Sequence, residues 1–108
     1  MSNIQERKTS INEGAGKVIR FLRKQKNITE GELGELANLS QQQISRYERG
    51  INHITLSCLA QILSVLNTSV DDFLYYLSLE CGFADTKNIF LPYHMTQNQY
   101  KNYSFING

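Results

Sequence analysis

Gln41, Gln42, Ser45, Arg46 and Arg49 fall within nine residues of one another, and each carries a side chain suited to nucleic-acid chemistry. A carboxamide pairs with two atoms of an adenine edge, a guanidinium with two atoms of a guanine edge, and a hydroxyl with either. Guanidinium groups also hold phosphates. Between them stand Ile44 and Tyr47, three apart and on the opposite side of any helix. A short helix with an apolar back and an amide- and guanidinium-rich front suits insertion into the major groove of a duplex.

Gln43 is divided between that front and a merely solvated position. Arg46 is either a base reader or a phosphate clamp, and Arg49 either a phosphate contact or a plain surface charge. Tyr47 is expected in the core with its hydroxyl reaching a polar partner. Glu48 is expected to pair with an arginine of the first helix, Arg20 or Arg23.

The preceding residues must position this front. Thr29-Glu30-Gly31-Glu32 is a capping box, Thr at the N-cap and Glu three residues later. Leu33, Leu36 and Ala37 follow as an apolar stripe at i, i+3 and i+4. Asn38 tolerates the left-handed backbone of a tight turn, Leu39 plugs the turn, and Ser40 caps the next helix. Gly34 is the small residue that lets two helices cross closely. This spacing predicts a helix-turn-helix, with helix 2 over residues 30–37 and a recognition helix over 41–48.

The rest of the chain reads as three more helices. The first runs from about Ile11 to Gln25, burying Val18, Ile19 and Leu22, with Phe21 at the edge of the stripe. Gly50 stops the third. Thr55 caps a fourth, with Leu56, Leu59, Ile62, Leu63 and Leu66 at helical spacing. Ser69 caps a fifth, which places Asp71 and Asp72 favourably in its first turn and makes an apolar face of Val70, Phe73, Leu74 and Leu77. The fold class expected is all-α: a five-helix domain over residues 11–81, a polar N-terminal arm over 1–10, and an aromatic-rich extension over 82–108. The extension holds Phe83, Phe90, Tyr93, Tyr100, Tyr103 and Phe105 without a helical period.

At 108 residues the chain suffices for one domain with a modest core. No apolar run approaches the ~18 residues of a membrane span. The N-terminus lacks the apolar segment of a secretory signal, and two cysteines make no disulfide framework, so a cytoplasmic, reducing location is expected. A net charge of +1 argues weakly against a nucleic-acid partner, but its distribution argues for one. Lys17, Arg20, Arg23, Lys24 and Lys26 form a run without an acid, whereas Asp71, Asp72, Glu80 and Asp85 have no base among them. One end of the molecule can face phosphate while the other faces away. Each run is otherwise only a solvated face, and Lys17 and Arg20 divide evenly between phosphate contact and that plainer role.

No nucleophile–base arrangement, paired carboxylates or Gly-rich phosphate loop has local support, so an enzyme and a cofactor are not expected. Cys81 and His94 do not complete a zinc spacing, and no metal site is expected. Cys58 reads as a small buried hydrophobe, Cys81 as an exposed neighbour of Gly82, and His53 as a surface residue after the third helix.

Taken together, Leu33, Gly34, Ala37, Asn38, Leu39, Ile44 and Tyr47 resemble the lambda-repressor/Cro-like (Xre) helix-turn-helix family over roughly Ile11 to Leu77. Within that family the string SQQQISRYERG, Ser40 to Gly50, is similar to small regulators encoded with enterobacterial fimbrial operons, which implies control of fimbrial or motility genes. The resemblance implies a dimeric transcriptional regulator reading a palindromic operator in double-stranded DNA. It puts Gln41 and Gln42 at the base-contacting end of helix 3, Ser45 and Arg46 one turn later, and Thr55 where helix 4 offers N–H groups to a phosphate. The dimer is expected through helix 5, by Phe73, Leu74 and Leu77. The chain departs from the family pattern at Glu30, Gly34 and Asn38, where Gln, Ala and Gly are usual. A carboxylate at position 30 would repel phosphate. The alternative reading is an antitoxin-like adaptor whose main partner is another protein, bound through residues 83–108.

Overall fold

The computed structural model describes residues 10–82. The arm expected over residues 1–10 therefore lies, but for Ser10, outside the described residues. So does the extension over 82–108 beyond Gly82, and with it the adaptor reading that depends on it.

Five helices follow one another: α1 (Ile11–Gln25), α2 (Glu30–Ala37), α3 (Gln41–Glu48), α4 (Leu56–Leu66) and α5 (Val70–Cys81). Each begins at a hydroxyl. The Oγ of Ser10, Thr29, Ser40, Thr55 and Ser69 accepts from the N–H three residues on, at 3.0–3.1 Å, so each helix start has one exposed donor satisfied. At the first three the side chain of Glu13, Glu32 or Gln43 accepts in return from the N-cap N–H, completing a capping box. The connections turn on left-handed residues: Asn27 (φ 59°), Asn38 (φ 62°), Gly50 (φ 73°) and Asn67 (φ 54°). Asparagine is among the few non-glycine residues that visit this conformation readily.

α1 packs against α5 and α3, and α2 against α3 and α4. The core closes on Val18, Ile19, Leu33, Ile44 and Ile62, all wholly buried. Phe21 is not at the edge of the α1 stripe but buried, its ring tilted against Tyr76 at a centroid distance of 5.9 Å. Helical spacing overstates the buried faces elsewhere. Leu36 is 64% exposed and Leu56 84%, and Val70 is also exposed, because no neighbouring helix of the described residues covers them. Tyr75 and Tyr76 instead fill the α5 side of the core. Cys81, expected at the surface, is buried, with its thiol directed at the Ser10 carbonyl (3.6 Å), and burial pushes that thiol's pKa up.

Gly34 closes the α2–α3 turn. Leu39 N–H donates to its carbonyl at 2.7 Å, and a Cβ on Gly34 would lie 2.7 Å from the Leu39 carbonyl oxygen. Helix propensity favours alanine by about 1 kcal/mol, but the collision is with backbone and outweighs it. Gly34→Ala is expected to cost about 1–2 kcal/mol net, read from urea unfolding. An unchanged or raised midpoint would mean that the turn has room to open.

No helix among the described residues is long and apolar enough to cross a membrane. None of their His, Cys, Asp and Glu side chains gather in threes as a metal site would require.

Candidate nucleic-acid interface

α3 separates its two faces cleanly. Ile44, Tyr47 and Glu48 are buried, whereas Gln41, Gln42, Arg46 and Arg49 are exposed and Ser45 is half-buried. Gln43 does not join the front. Its Oε1 accepts from Ser40 N–H at 3.0 Å, which commits the side chain to the helix cap. Two neighbouring amides remain at the outer end of the helix, followed one turn later by a hydroxyl and a guanidinium.

The back of α3 is held at several points. Tyr47 reaches Cys58 on α4, and that hydrogen bond, with burial, raises the phenol's pKa. Cys58 is only partly buried, and hydrogen bonds with Thr55 and Tyr47 lower its thiol's pKa. Glu48 binds Arg23 of α1 through two hydrogen bonds, Nε–Oε2 at 2.6 Å and Nη2–Oε1 at 3.0 Å. The third nitrogen, Nη1, donates to the Ile28 carbonyl at 2.9 Å. The carboxylate raises the guanidinium's pKa above its ordinary value. Burial pushes the Glu48 carboxyl up, against the downward pull of Arg23. Arg23 therefore leaves the basic run expected to face phosphate and becomes the partner expected for Glu48.

Beside the N-terminus of α3 lies an open depression of about 700 Å³, lined among others by Arg20, Lys24, Asn27, Thr29, Glu30 and Gln41. Two exposed cations thus stand next to the first exposed amide. Arg20 was expected there. Lys24 was missed as a site residue, although it lies four residues beyond Arg20 and so on the same helical face. Glu30 tempers the positive charge, and its carboxylate also adds in a minor way to the upward shifts of Arg23 and Glu48.

Lys17 is not brought to this place. Its ammonium lies 4.0 Å from Glu80 of α5, on a side chain that stays 58% exposed. Thr55 caps α4, and the helix N-terminus there carries the partial positive charge that suits an anion. Arg49 is the exposed C-cap of α3. His53 Nδ1 lies 2.8 Å from Asn12 Nδ2, which ties the loop after α3 to the start of α1.

The expected dimer residues divide. Phe73 (2% exposed) and Leu77 belong to the protomer's own core, packed with the other buried side chains, so they are not available to a second subunit. Leu74 is exposed, at 41%.

A helix-turn-helix family model matches residues 19–73, which takes in the last seven residues of α1, all of α2 to α4 and the start of α5. A solved structure of the clp gene regulator ClgR from Corynebacterium glutamicum superposes with a TM-score of 0.67 and 27% identity, covering 71% of this chain and 99% of that one. A second structure of the same regulator gives 0.68 and 25%, over 77% and 88%. A point mutant of the restriction-modification controller protein C.Esp1396I gives 0.63 and 27%, over 68% and 94%. No curated protein sequence matches the chain.

Proposed function

The chain belongs to the helix-turn-helix family, as a DNA-binding regulator and not an enzyme, and from that premise we propose that it acts as a homodimer reading a palindromic operator through α3 in the major groove. The observation that carries this reading is the exposed face of α3, in which Gln41, Gln42, Ser45 and Arg46 share one side of a helix whose other side is fixed in the core. Gln41 and Gln42 read base edges at the entering end, and Ser45 and Arg46 read one turn deeper. Arg20, Lys24, Arg49 and the α4 N-terminus at Thr55 hold phosphates, setting affinity and its salt dependence, not sequence choice. The likeness of the Ser40–Gly50 string supports fimbrial or motility operons as targets.

Selection of bound duplexes from a random pool at ~150 mM salt, where phosphate contacts are screened, tests the reading. The expected product is a two-fold-related motif with half-sites about 34 Å apart. Binding that vanishes with salt and enriches nothing would overturn it. Arg46→Ala is expected to relax preference at one position per half-site and to cost about 1–3 kcal/mol on the selected site. An equal loss on every duplex would make Arg46 a phosphate contact.

A further inference from the structure

The outer face of α4 is unlike the rest of the described surface. From Gly50 to Val70 the chain contains no Asp, Glu, Lys or Arg. Within this uncharged stretch Leu56 projects from the first turn of α4 as the most exposed large hydrophobic side chain of the described residues. Ala60 and Ser64 continue the same face at intervals of four residues, both exposed. Next to them an open depression of about 380 Å³ lies between α2 and α4, lined among others by Leu36, Ala37, Ala60, Ser64 and Val65. A projecting leucine and a shallow uncharged recess therefore sit on one helix face, about 12 Å apart along its axis.

We propose that this face is the interface with a second copy of the chain: α4 packs antiparallel on its counterpart about a two-fold axis through Ala60. Leu56 and Ser64 are each four residues from Ala60, so such an axis brings Leu56 of each subunit opposite the recess at Ser64 and Leu36 of the other. This is the self-complementarity that a two-fold contact demands, and Ser57, Ala60 and Ser64 are small enough for the helices to approach closely. Charge selects the same surface. A two-fold axis sets a surface against itself, and like charges across it repel. The exposed apolar residues of α5, Val70 and Leu74, flank the exposed Asp71, whereas the α4 face itself carries no charge, and the exposed Glu32 and Glu35 near Leu36 are on α2, off the axis through Ala60. The proposal deepens the reading of the chain as a dimeric regulator but does not depend on its preference among DNA sequences.

The test is sedimentation equilibrium of the full chain without DNA, with far-UV circular dichroism as a check on folding. The wild type is expected to dimerise. Ala60→Arg and Ala60→Glu, each placing a charge against its own copy, are expected to weaken the dimer on the order of 100-fold. Mixing the two variants should restore dimerisation, because opposite charges then meet at the axis, and Leu74→Asp should leave the dimer intact. A monomeric wild type, or Ala60 variants that dimerise normally while Leu74→Asp does not, would overturn the proposal. The two readings fail separately. A monomer that still prefers one half-site sequence defeats only the interface, and a dimer held through α4 that enriches no sequence defeats only the operator reading.

Discussion

Glu48→Ala is expected to destabilise the fold by about 3–5 kcal/mol, because it leaves the Arg23 guanidinium in the interior without its counter-charge. The two side chains are 10% and 1% exposed, and they meet through two hydrogen bonds while the third guanidinium nitrogen holds the Ile28 carbonyl. Such a pair adds little over a well-packed apolar substitute, since desolvating both charges costs about what their attraction returns. Its sensitivity lies in breaking one half only. Glu48→Gln keeps the shape and some of the hydrogen bonding and should cost less than Glu48→Ala. Arg23→Met combined with Glu48→Leu should recover most of the loss, short of the ~1–3 kcal/mol attached to an unsatisfied Ile28 carbonyl. Urea unfolding of the four proteins reads this pattern directly. Single variants within 0.5 kcal/mol of wild type, the range usual for surface substitutions, would show that the pair is solvated in solution.

Gly16→Ala is the second change expected to matter, and with a sign opposite to the usual one. In the middle of a 15-residue helix, alanine is ordinarily better than glycine by about 1 kcal/mol. Here α1 crosses the end of α3 so closely that a Cβ on Gly16 would lie 2.6 Å from the Glu48 carbonyl oxygen and 2.9 Å from its carbon, and would also strike the Tyr47 carbonyl. These are backbone atoms and cannot rotate aside. The helices must separate, at a net cost of about 2–3 kcal/mol. Because α3 is the element displaced, affinity for the selected operator should fall further than for random duplex. A Gly16→Ala protein with a raised melting temperature and unaltered operator binding would show that the crossing is looser than described.

How far these features could be read in advance depends on their range. Capping boxes and left-handed asparagines act within four residues, so Thr29 with Glu32, Ser40 and Asn38 marked the helix-turn-helix without any tertiary information. The box of Ser10 and Glu13 has the same local form but was absorbed into the polar N-terminal segment. Apolar periodicity locates a helix face but not what covers it. Leu36, Leu56 and Val70 have the same spacing as the core residues yet remain outside, and Phe73 and Leu77 were assigned to a partner although they face their own core. Arg23 is legible only in part. Its sequence position offers it, with Arg20, as a partner for Glu48, but among Lys17, Arg20, Lys24 and Lys26 it also looks like one more cation for phosphate. Only the fold selects it over Arg20 and buries it.

The contacts that fix α3 against α1 leave it little freedom to tilt. Glu48 is tied to Arg23, the same arginine holds the Ile28 carbonyl, and the α1 backbone at Gly16 lies against the carbonyls of Tyr47 and Glu48. On the proposed reading, an operator whose groove departs from the ideal width cannot be met by adjusting the protein, so the duplex must twist or bend to fit. The energy of that deformation depends on base pairs that no side chain touches. Preference should therefore extend into the spacer between half-sites, where flexible pyrimidine–purine steps and stiff A-tracts differ in the work needed to reach the same geometry.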